Sequence, residues 1–231
     1  MTAIPFRPFT GKNQQVHITH SKLPHWSCAN LTHFVTFRLL DSLPQKALAS
    51  WLKKRNTWFQ LRGIAPNEPN FFSLLSPEHR REYRQLFGKA FEEQLDRGHG
   101  SCLLRQKENA TLVALALHHF DGKRYSLGDF VIMPNHVHVL VTPFEGFHLN
   151  QITKSWKGYS ARVINQRLNQ KGSLWQRESF DHLVRHRRQL ERLISYISEN
   201  PTTAKLCSSE FIHFQAEWAF PTQRSPSKSP E

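Results

Sequence analysis

Two histidines separated by one residue are the side chains of this sequence best suited to chemistry. His136 and His138 lie in residues 131–143, where polar and apolar residues alternate from Asn135 onward, so the segment is predicted to be a β-strand. Residues i and i+2 of a strand share one face, about 6.8 Å apart along its axis. The two imidazoles can therefore converge on one ion or one phosphate, while the valines at 137, 139 and 141 would face a core. Such a pair alone is more often incidental than functional.

The strongest compositional feature is positive charge. The 231 residues carry 31 Lys and Arg against 18 Asp and Glu, a formal net charge of +13. Phosphate polyanions are the usual partners of such a field, and a solvated basic surface is the plainer alternative. A membrane surface is the weaker alternative, because the sequence shows neither a basic amphipathic helix nor a lipidation motif.

Several protein classes are disfavoured by the same sequence. No run of eighteen apolar residues is present, and the first residues lack the charged and apolar layout of a signal peptide. The three cysteines (Cys28, Cys102 and Cys207) are scattered and odd in number, which argues against a disulfide framework. We expect a cytoplasmic protein that has no membrane partner.

The elements around the histidine strand favour an α+β fold. We predict a ferredoxin-like antiparallel sheet with helices packed on it. In chain order, the predicted elements are a strand at 31–40, helices at 45–62, 76–97 and 109–120, strands at 124–131 and 131–143, a helix at 150–169, an extended segment at 174–181, and a helix at 188–199 that ends before Pro201. The predicted division is an arm at 1–25, one domain at 26–206 and a tail at 207–231.

The helix at 150–169 is the predicted cover of the histidine face. Ile152, Trp156, Tyr159 and Val163 recur at helical spacing and would form its apolar stripe. Tyr159 would then point toward the sheet. On spacing alone, a core tyrosine with its hydroxyl at the rim is the plainer alternative. Gly158, beside it, costs a helix about 1 kcal/mol relative to Ala, so we expect a close approach there.

Positive charge concentrates in this helix and the segment after it. Between residues 151 and 206 there are eleven Lys and Arg and four acids. A tyrosine near paired histidines and surrounded by cations suits phosphodiester chemistry. The predicted nucleic-acid-binding residues are Lys154, Lys157, Arg162, Arg167, Lys171, Arg177 and Arg185.

Five blocks of the sequence together resemble one family, in the same order. Residues 133–140, which contain both histidines, resemble the signature of the single-tyrosine HUH transposases (IS200-like), and the closer likeness is to the REP-associated tyrosine transposases. The other four blocks are 33–39, 155–161, 174–182 and 196–201, so the resemblance spans roughly residues 31–206.

The resemblance implies an HUH endonuclease fold and a mechanism. His136 and His138 would bind Mg²⁺ or Mn²⁺, and Tyr159 would attack a scissile phosphate to give a 5′-phosphotyrosine. The substrate would be single-stranded or hairpin DNA of the repetitive extragenic palindrome type. The protein would be a transposase-like endonuclease and strand transferase, a monomer or homodimer in the bacterial cytoplasm, associated with the nucleoid.

The predicted metal shell departs from the family at one position. In related enzymes a polar residue one turn after the tyrosine completes the shell, but one turn after Tyr159 stands Val163. Asn165 is our predicted third ligand, with Gln166, a residue of 178–181 or water as alternatives. This departure leaves open a second function, a weakened or inactive nuclease that binds DNA or RNA hairpins. Tyr196 is assigned to the core, among Leu193, Ile194 and Ile197.

Overall fold

The computed structural model describes residues 3–8, 17–20, 24–27, 29–65 and 74–219. Its strands are β1 (Ile4–Pro5), β2 (His17–His20), β3 (Pro24–Ser27), β4 (His33–Arg38), β5 (Tyr125–Ile132), β6 (His136–Pro143), β7 (Phe180–Leu183), β8 (Ile212–Phe214) and β9 (Trp218–Ala219). Its α-helices are α1 (Gln45–Gln60), α2 (Pro77–Tyr83), α3 (Ala90–Asp96), α4 (Lys107–His118), α5 (Leu149–Arg167) and α6 (Arg187–Thr203).

A five-stranded antiparallel sheet forms the centre of the molecule. Its order is β7-β4-β6-β5-β8, with the histidine strand β6 in the middle. Because β4 and β5 both run antiparallel to β6, they are parallel to each other, and the chain between them is a crossover. The same holds for β6 and β7, which flank β4. This arrangement confirms the predicted α+β, ferredoxin-like class.

The valine face of β6 packs against α4 and α5. Val137, Val139 and Val141 are fully buried there, beside side chains of both helices: Val113, Leu117, Ile152, Trp156 and Ile164. Right-handed crossovers place both connecting helices on one face of the sheet. The prediction that the helix at 150–169 covers the histidine face was therefore wrong, because this helix (α5) lies on the opposite face.

The histidine face is covered by α6. Leu190 and Ile197 of this helix are buried in one cluster with Phe34 of β4 and Leu140 of β6. The helix continues to Thr203, so the predicted stop before Pro201 was also wrong. Proline lacks one backbone donor, but so close to the C-terminus its absence breaks few helical bonds. The additional turn contains Asn200, which is 2% exposed.

The predicted helix at 76–97 is divided by a π-helical segment. Ser76 caps its start by accepting a hydrogen bond from the backbone N–H of His79 (3.2 Å), and residues 84–89 then widen into π geometry. Phe87 of that segment packs with Trp58, Phe59 and Leu75 in a small separate core. After it, α3 ends at Asp96 next to the histidine strand.

Parts of both predicted extensions pack on the sheet. β8 pairs with β5, and β1 pairs with β9. The bulge at Gly128 in β5 receives Trp218, whose indole N–H donates to Asp129 (2.6 Å). The remainder of the predicted tail, from residue 220, lies outside the described residues. Within the described ranges, no helix is long and apolar enough to span a bilayer.

Candidate metal centre and nucleophile

The two imidazoles meet on the buried face of β6. His136 and His138 are 1% and 0% exposed, and their Nε2 atoms lie 3.0 Å apart. The strand alone would hold the side chains farther apart, so their rings turn toward each other. Two ring nitrogens therefore converge on one point below α6.

Asn135 fixes the proton on the His136 ring. Its amide nitrogen donates to the carbonyls of Leu95 (3.2 Å) and His99 (3.1 Å), which leaves its Oδ1 facing His136 Nδ1 at 2.7 Å. An amide oxygen only accepts, so Nδ1 carries the hydrogen and Nε2 keeps its lone pair. This is the tautomer that a metal-binding histidine needs.

His138 is held by Thr36 of the neighbouring strand. Its Nδ1 lies 2.8 Å from the threonine hydroxyl, which can donate or accept, and the Phe34 ring stacks on the imidazole at 5.4 Å. Burial lowers the pKa of His136 to about 3 and holds the pKa of His138 well below its usual value. Both rings are therefore neutral at pH 7, the form that binds metal ions.

The tyrosine beside this pair is Tyr196 of α6. Its hydroxyl lies 3.3 Å from His138 Nε2, and the two rings meet edge to face at 5.1 Å. Tyr159 instead lies on α5, 42% exposed, with the Arg162 guanidinium 5.7 Å from its ring centre. The structure thus brings Tyr196, and not Tyr159, to the histidines of the same chain.

Asn200 places an amide oxygen at the site. It follows Tyr196 by one helical turn, and its Oδ1 accepts no hydrogen bond although the side chain is buried. The sequence resemblance calls for a polar residue one turn after the tyrosine. Val163, one turn after Tyr159, does not meet that requirement, whereas Asn200, one turn after Tyr196, does. Asn165 lies on α5, where its amide donates to the carbonyl of Gly172 (2.9 Å), and it does not reach the histidines.

Asp96, at the end of α3, is the fourth polar group. Its Oδ1 lies 3.6 Å from His136 Nε2 and accepts no hydrogen bond. Burial raises the pKa of Asp96 to about 6, opposed by a hydrogen bond with Asn200. Within the described ranges, no three His, Cys, Asp or Glu side chains are grouped closely enough, as they stand, to hold a metal ion. Because the His136 hydrogen is on Nδ1, the contact between the two Nε2 atoms is a hydrogen bond donated by His138. With the His138 hydrogen on Nδ1 instead, facing Thr36, the two imidazole nitrogens and the unpaired amide and carboxylate oxygens fit an ion such as Mg²⁺ or Mn²⁺.

The predicted cations of α5 support the scaffold more than they approach the site. Lys157 donates to the carbonyl of Arg177 (2.8 Å) and to the hydroxyl of Ser179 (3.3 Å), and burial lowers its pKa to about 8. Arg167 contacts Gln106 and Asn109 at the start of α4. These contacts attach α4 and the segment before β7 to α5. Of the remaining predicted cations, Lys154, Lys171, Arg177 and Arg185 are exposed.

Two cations on α6 were counted in the basic segment at 151–206 but not among the predicted nucleic-acid-binding residues. Arg192 and Arg188 precede Tyr196 by one and two helical turns, and both are exposed. Arg187 differs, because it pairs with Glu191 (2.8 Å). Arg38 was also missed; it is 8% exposed and stands opposite His136 in the register of β4 and β6. Their spacing could have identified them, because Arg192 and Arg188 lie four and eight residues before Tyr196 and therefore on the same side of the helix.

Comparison with known proteins agrees with the sequence resemblance. A family model described as "Transposase IS200 like" matches residues 102–200, a segment that contains both histidines, Tyr196 and Asn200. The chain is also similar to a solved structure titled "Structure of the REP associates tyrosine transposase bound to a REP hairpin". That likeness has 12% identity and a TM-score of 0.42, over 78% of this chain and 71% of the other. None of the curated proteins compared with the chain matches it.

Proposed function

We propose that this protein cleaves and rejoins single-stranded or hairpin DNA through Tyr196, since residues 102–200 match the model of the IS200-like transposase family. The observation that carries the proposal is the 3.3 Å separation of the Tyr196 hydroxyl from His138 Nε2. A nucleophile must lie within reach of the groups that activate it and of the phosphate they bind.

The metal ligands in this proposal are His136, His138 and Asn200. The imidazoles are neutral, the His136 tautomer presents Nε2, and the Asn200 oxygen is buried without a donor. A bound Mg²⁺ or Mn²⁺ would polarise the scissile phosphate and offset its developing charge. Thr36 and Asn135 would keep the two rings oriented toward that ion.

The role of Tyr196 is nucleophilic attack on the phosphorus. Its oxygen forms the new bond to phosphorus while the bond to the 3′-oxygen breaks, which leaves a 5′-phosphotyrosine and a free 3′-hydroxyl. The ring is held for this attack by its edge contacts with His138 and Phe34. Arg188 and Arg192 would bind phosphates of the incoming strand along α6.

The test is covalent capture of labelled palindromic single-stranded DNA in the presence of Mn²⁺. We expect the wild-type protein to form a protein–DNA adduct, Tyr196→Phe to form none, and Tyr159→Phe to form it at near wild-type yield. Tyr159→Phe is the matched control, because it removes the same hydroxyl from the other predicted tyrosine.

Two results would contradict the proposal. If Tyr159→Phe abolishes the adduct while Tyr196→Phe retains it, the nucleophile is Tyr159, supplied to the histidines of another copy of the chain. If the wild-type protein binds the DNA tightly but forms no adduct with any divalent metal, the protein is a hairpin-binding protein on this scaffold.

A further inference from the structure

We propose that Asp96 is a carboxylate ligand of the ion held by the two histidines. This inference rests on the proposed function, since it assigns one more ligand to the same centre. It adds a residue from α3, a helix outside the segment 102–200 that matches the transposase family. The ion would then be held from three directions, by β6, by α6 and by α3.

The first argument is the pairing of atoms at the contact. His136 Nε2 and Asp96 Oδ1 lie 3.6 Å apart, and the hydrogen of this ring is on Nδ1, where it faces Asn135. The Nε2 lone pair of His136 accepts a hydrogen bond from His138 Nε2 at 3.0 Å, so no ring hydrogen lies between Nε2 and the Asp96 oxygen. A cation between Nε2 and the Asp96 oxygen is coordinated by both atoms.

The second argument is that Asp96 is held in place. Asn135, whose Oδ1 orients His136, donates through its amide nitrogen to the carbonyls of Leu95 and His99, on either side of Asp96 in the chain. The Leu95 side chain is itself fully buried. One buried amide thus sets the position of an imidazole and of the backbone that carries the carboxylate.

The third argument is that, among the residues the structure describes, no Lys or Arg forms an ion pair with Asp96. Both nitrogens of the His136 ring have nearer partners than Asp96: Asn135 Oδ1 lies 2.7 Å from Nδ1 and His138 Nε2 lies 3.0 Å from Nε2, whereas Asp96 Oδ1 lies 3.6 Å from Nε2. The charged neighbour that acts on Asp96 is Glu93, which has the same sign. The Asp96 side chain is 17% exposed, but its Oδ1 is buried without a hydrogen-bond partner, and a buried carboxylate oxygen is normally paired with a cation or coordinates a metal ion.

The distances agree with ligands of one ion. An octahedral ion with bonds of about 2.1 Å holds adjacent donors about 3.0 Å apart. The two Nε2 atoms already have a separation of 3.0 Å, and Asp96 Oδ1 is 3.6 Å from the nearer one. A rotation of the carboxylate that moves Oδ1 about 0.6 Å toward His136 Nε2 brings their separation to about 3.0 Å. A carboxylate in the shell also favours the hard ions Mg²⁺ and Mn²⁺ over softer metals.

The experiment is calorimetric titration of Mn²⁺ into the metal-free, full-length protein without DNA. We expect Asp96→Asn and Asp96→Ala to weaken Mn²⁺ binding at least tenfold relative to the wild-type protein. Glu93→Gln is the matched control, because it removes an exposed carboxylate from the same helix, and its Mn²⁺ affinity should stay within about twofold of wild type. His138→Ala should abolish binding. Circular dichroism of each variant verifies the fold, and Asp96→Asn retains the size and a hydrogen-bonding oxygen of the original side chain.

The outcomes separate this inference from the proposed function. If Mn²⁺ binds both Asp96 variants as tightly as it binds the wild-type protein, while His138→Ala abolishes binding, Asp96 is not a ligand and the histidine centre stands. If Glu93→Gln weakens binding as much as Asp96→Asn does, the effect is general electrostatics and the inference is overturned. If the wild-type protein itself binds no Mn²⁺, the metal centre of the proposed function fails as well.

Discussion

At the scale of single residues, one buried amide positions the metal site. Asn135 is 1% exposed and satisfies three groups at once: the His136 ring and the carbonyls of Leu95 and His99. A histidine whose second nitrogen is held in this way keeps both its tautomer and its ring orientation. The turn before β6 therefore positions the metal ligand as well as connecting two strands.

Replacing Asn135 with Ala should affect both stability and metal binding. The change leaves the buried His136 ring N–H without an acceptor and removes one donor from each of two carbonyls, so we expect the free energy of unfolding to fall by about 2–4 kcal/mol. Because the His136 ring loses its orientation, the Mn²⁺ affinity should fall at least tenfold. Urea unfolding and Mn²⁺ titration measure the two effects.

Asn109→Ala provides the control for that prediction. Asn109 is also fully buried and donates to the carbonyl of Leu103 (2.8 Å), but it lies at the start of α4, on the valine-face layer. Its loss should destabilise the protein and leave the Mn²⁺ affinity of the folded form unchanged. A similar loss of metal affinity in both variants would mean that Asn135 acts only through global stability.

The two tyrosines show what the sequence could and could not predict at this scale. The histidine pair, its strand and the family resemblance were accessible from local pattern, and so was the block that contains Tyr196. Tyr196 was assigned to the core because Leu193, Ile194 and Ile197 surround it in the sequence. A tyrosine over a buried site lies on the face of its helix that packs on the sheet, so its helical neighbours are apolar, as they are around a core tyrosine. Only the packing of α6 on the histidine face separates the two cases.

At the scale of elements, the exchanged roles of α5 and α6 follow from topology. A ferredoxin-like sheet takes its two crossover helices on one face, and the valine face of β6 is the apolar one. The predicted fold therefore already implied that α5 could not cover the histidines. The apolar stripe of α5 was read correctly as facing the sheet, with Ile152 and Trp156 buried, but Tyr159 lies outside it. The helix that covers the histidine face therefore follows β7, the fourth strand of the ferredoxin-like unit, and this helix is α6.

Replacing a glycine with alanine should have opposite effects on stability at Gly158 of α5 and at Gly128 of β5. A Cβ at Gly158 on α5 would meet no atom within 4 Å, so Gly158→Ala should raise the free energy of unfolding by about 1 kcal/mol. A Cβ at Gly128 would lie 2.6 Å from the Trp218 ring and 2.9 Å from Leu140, so Gly128→Ala should lower it by about 1–3 kcal/mol. Urea unfolding of the two variants compares them directly, and each serves as the control for the other.

Either glycine result can be contradicted clearly. A destabilised Gly158→Ala variant would mean that another molecule or copy approaches α5 beside Tyr159, as the sequence suggested. A Gly128→Ala variant of unchanged stability would mean that the segment containing Trp218 contributes little to the fold. In that case the pairing of β1 with β9 would be dispensable as well.

At the scale of the whole molecule, cations lie on both helical layers of the sheet, and either layer could bind DNA. The α5 cations lie on the valine-face layer, and two of them hold neighbouring segments. Arg188 and Arg192 lie on α6, on the layer that contains Tyr196 and both histidines. A strand that places its scissile phosphate at Tyr196 must cross the second layer. The formal charge of +13 predicts a nucleic-acid partner. It does not predict which layer binds the nucleic acid, because that depends on whether α5 or α6 covers the histidine face.

The salt dependence of DNA binding distinguishes these layers. Each phosphate contact to single-stranded DNA contributes about 0.7 to the slope of log affinity against log salt. The double variant Arg188→Gln/Arg192→Gln should therefore reduce that slope by about 1.4 and weaken binding most at low salt. The double variant Lys154→Gln/Arg162→Gln removes the same charge from α5 and should leave the slope within experimental error of wild type. Fluorescence anisotropy of a labelled single strand at several salt concentrations measures both. If the α5 pair reduces the slope and the α6 pair does not, the DNA follows the valine-face layer, and the assignment of Tyr196 to the histidines of its own chain loses its support.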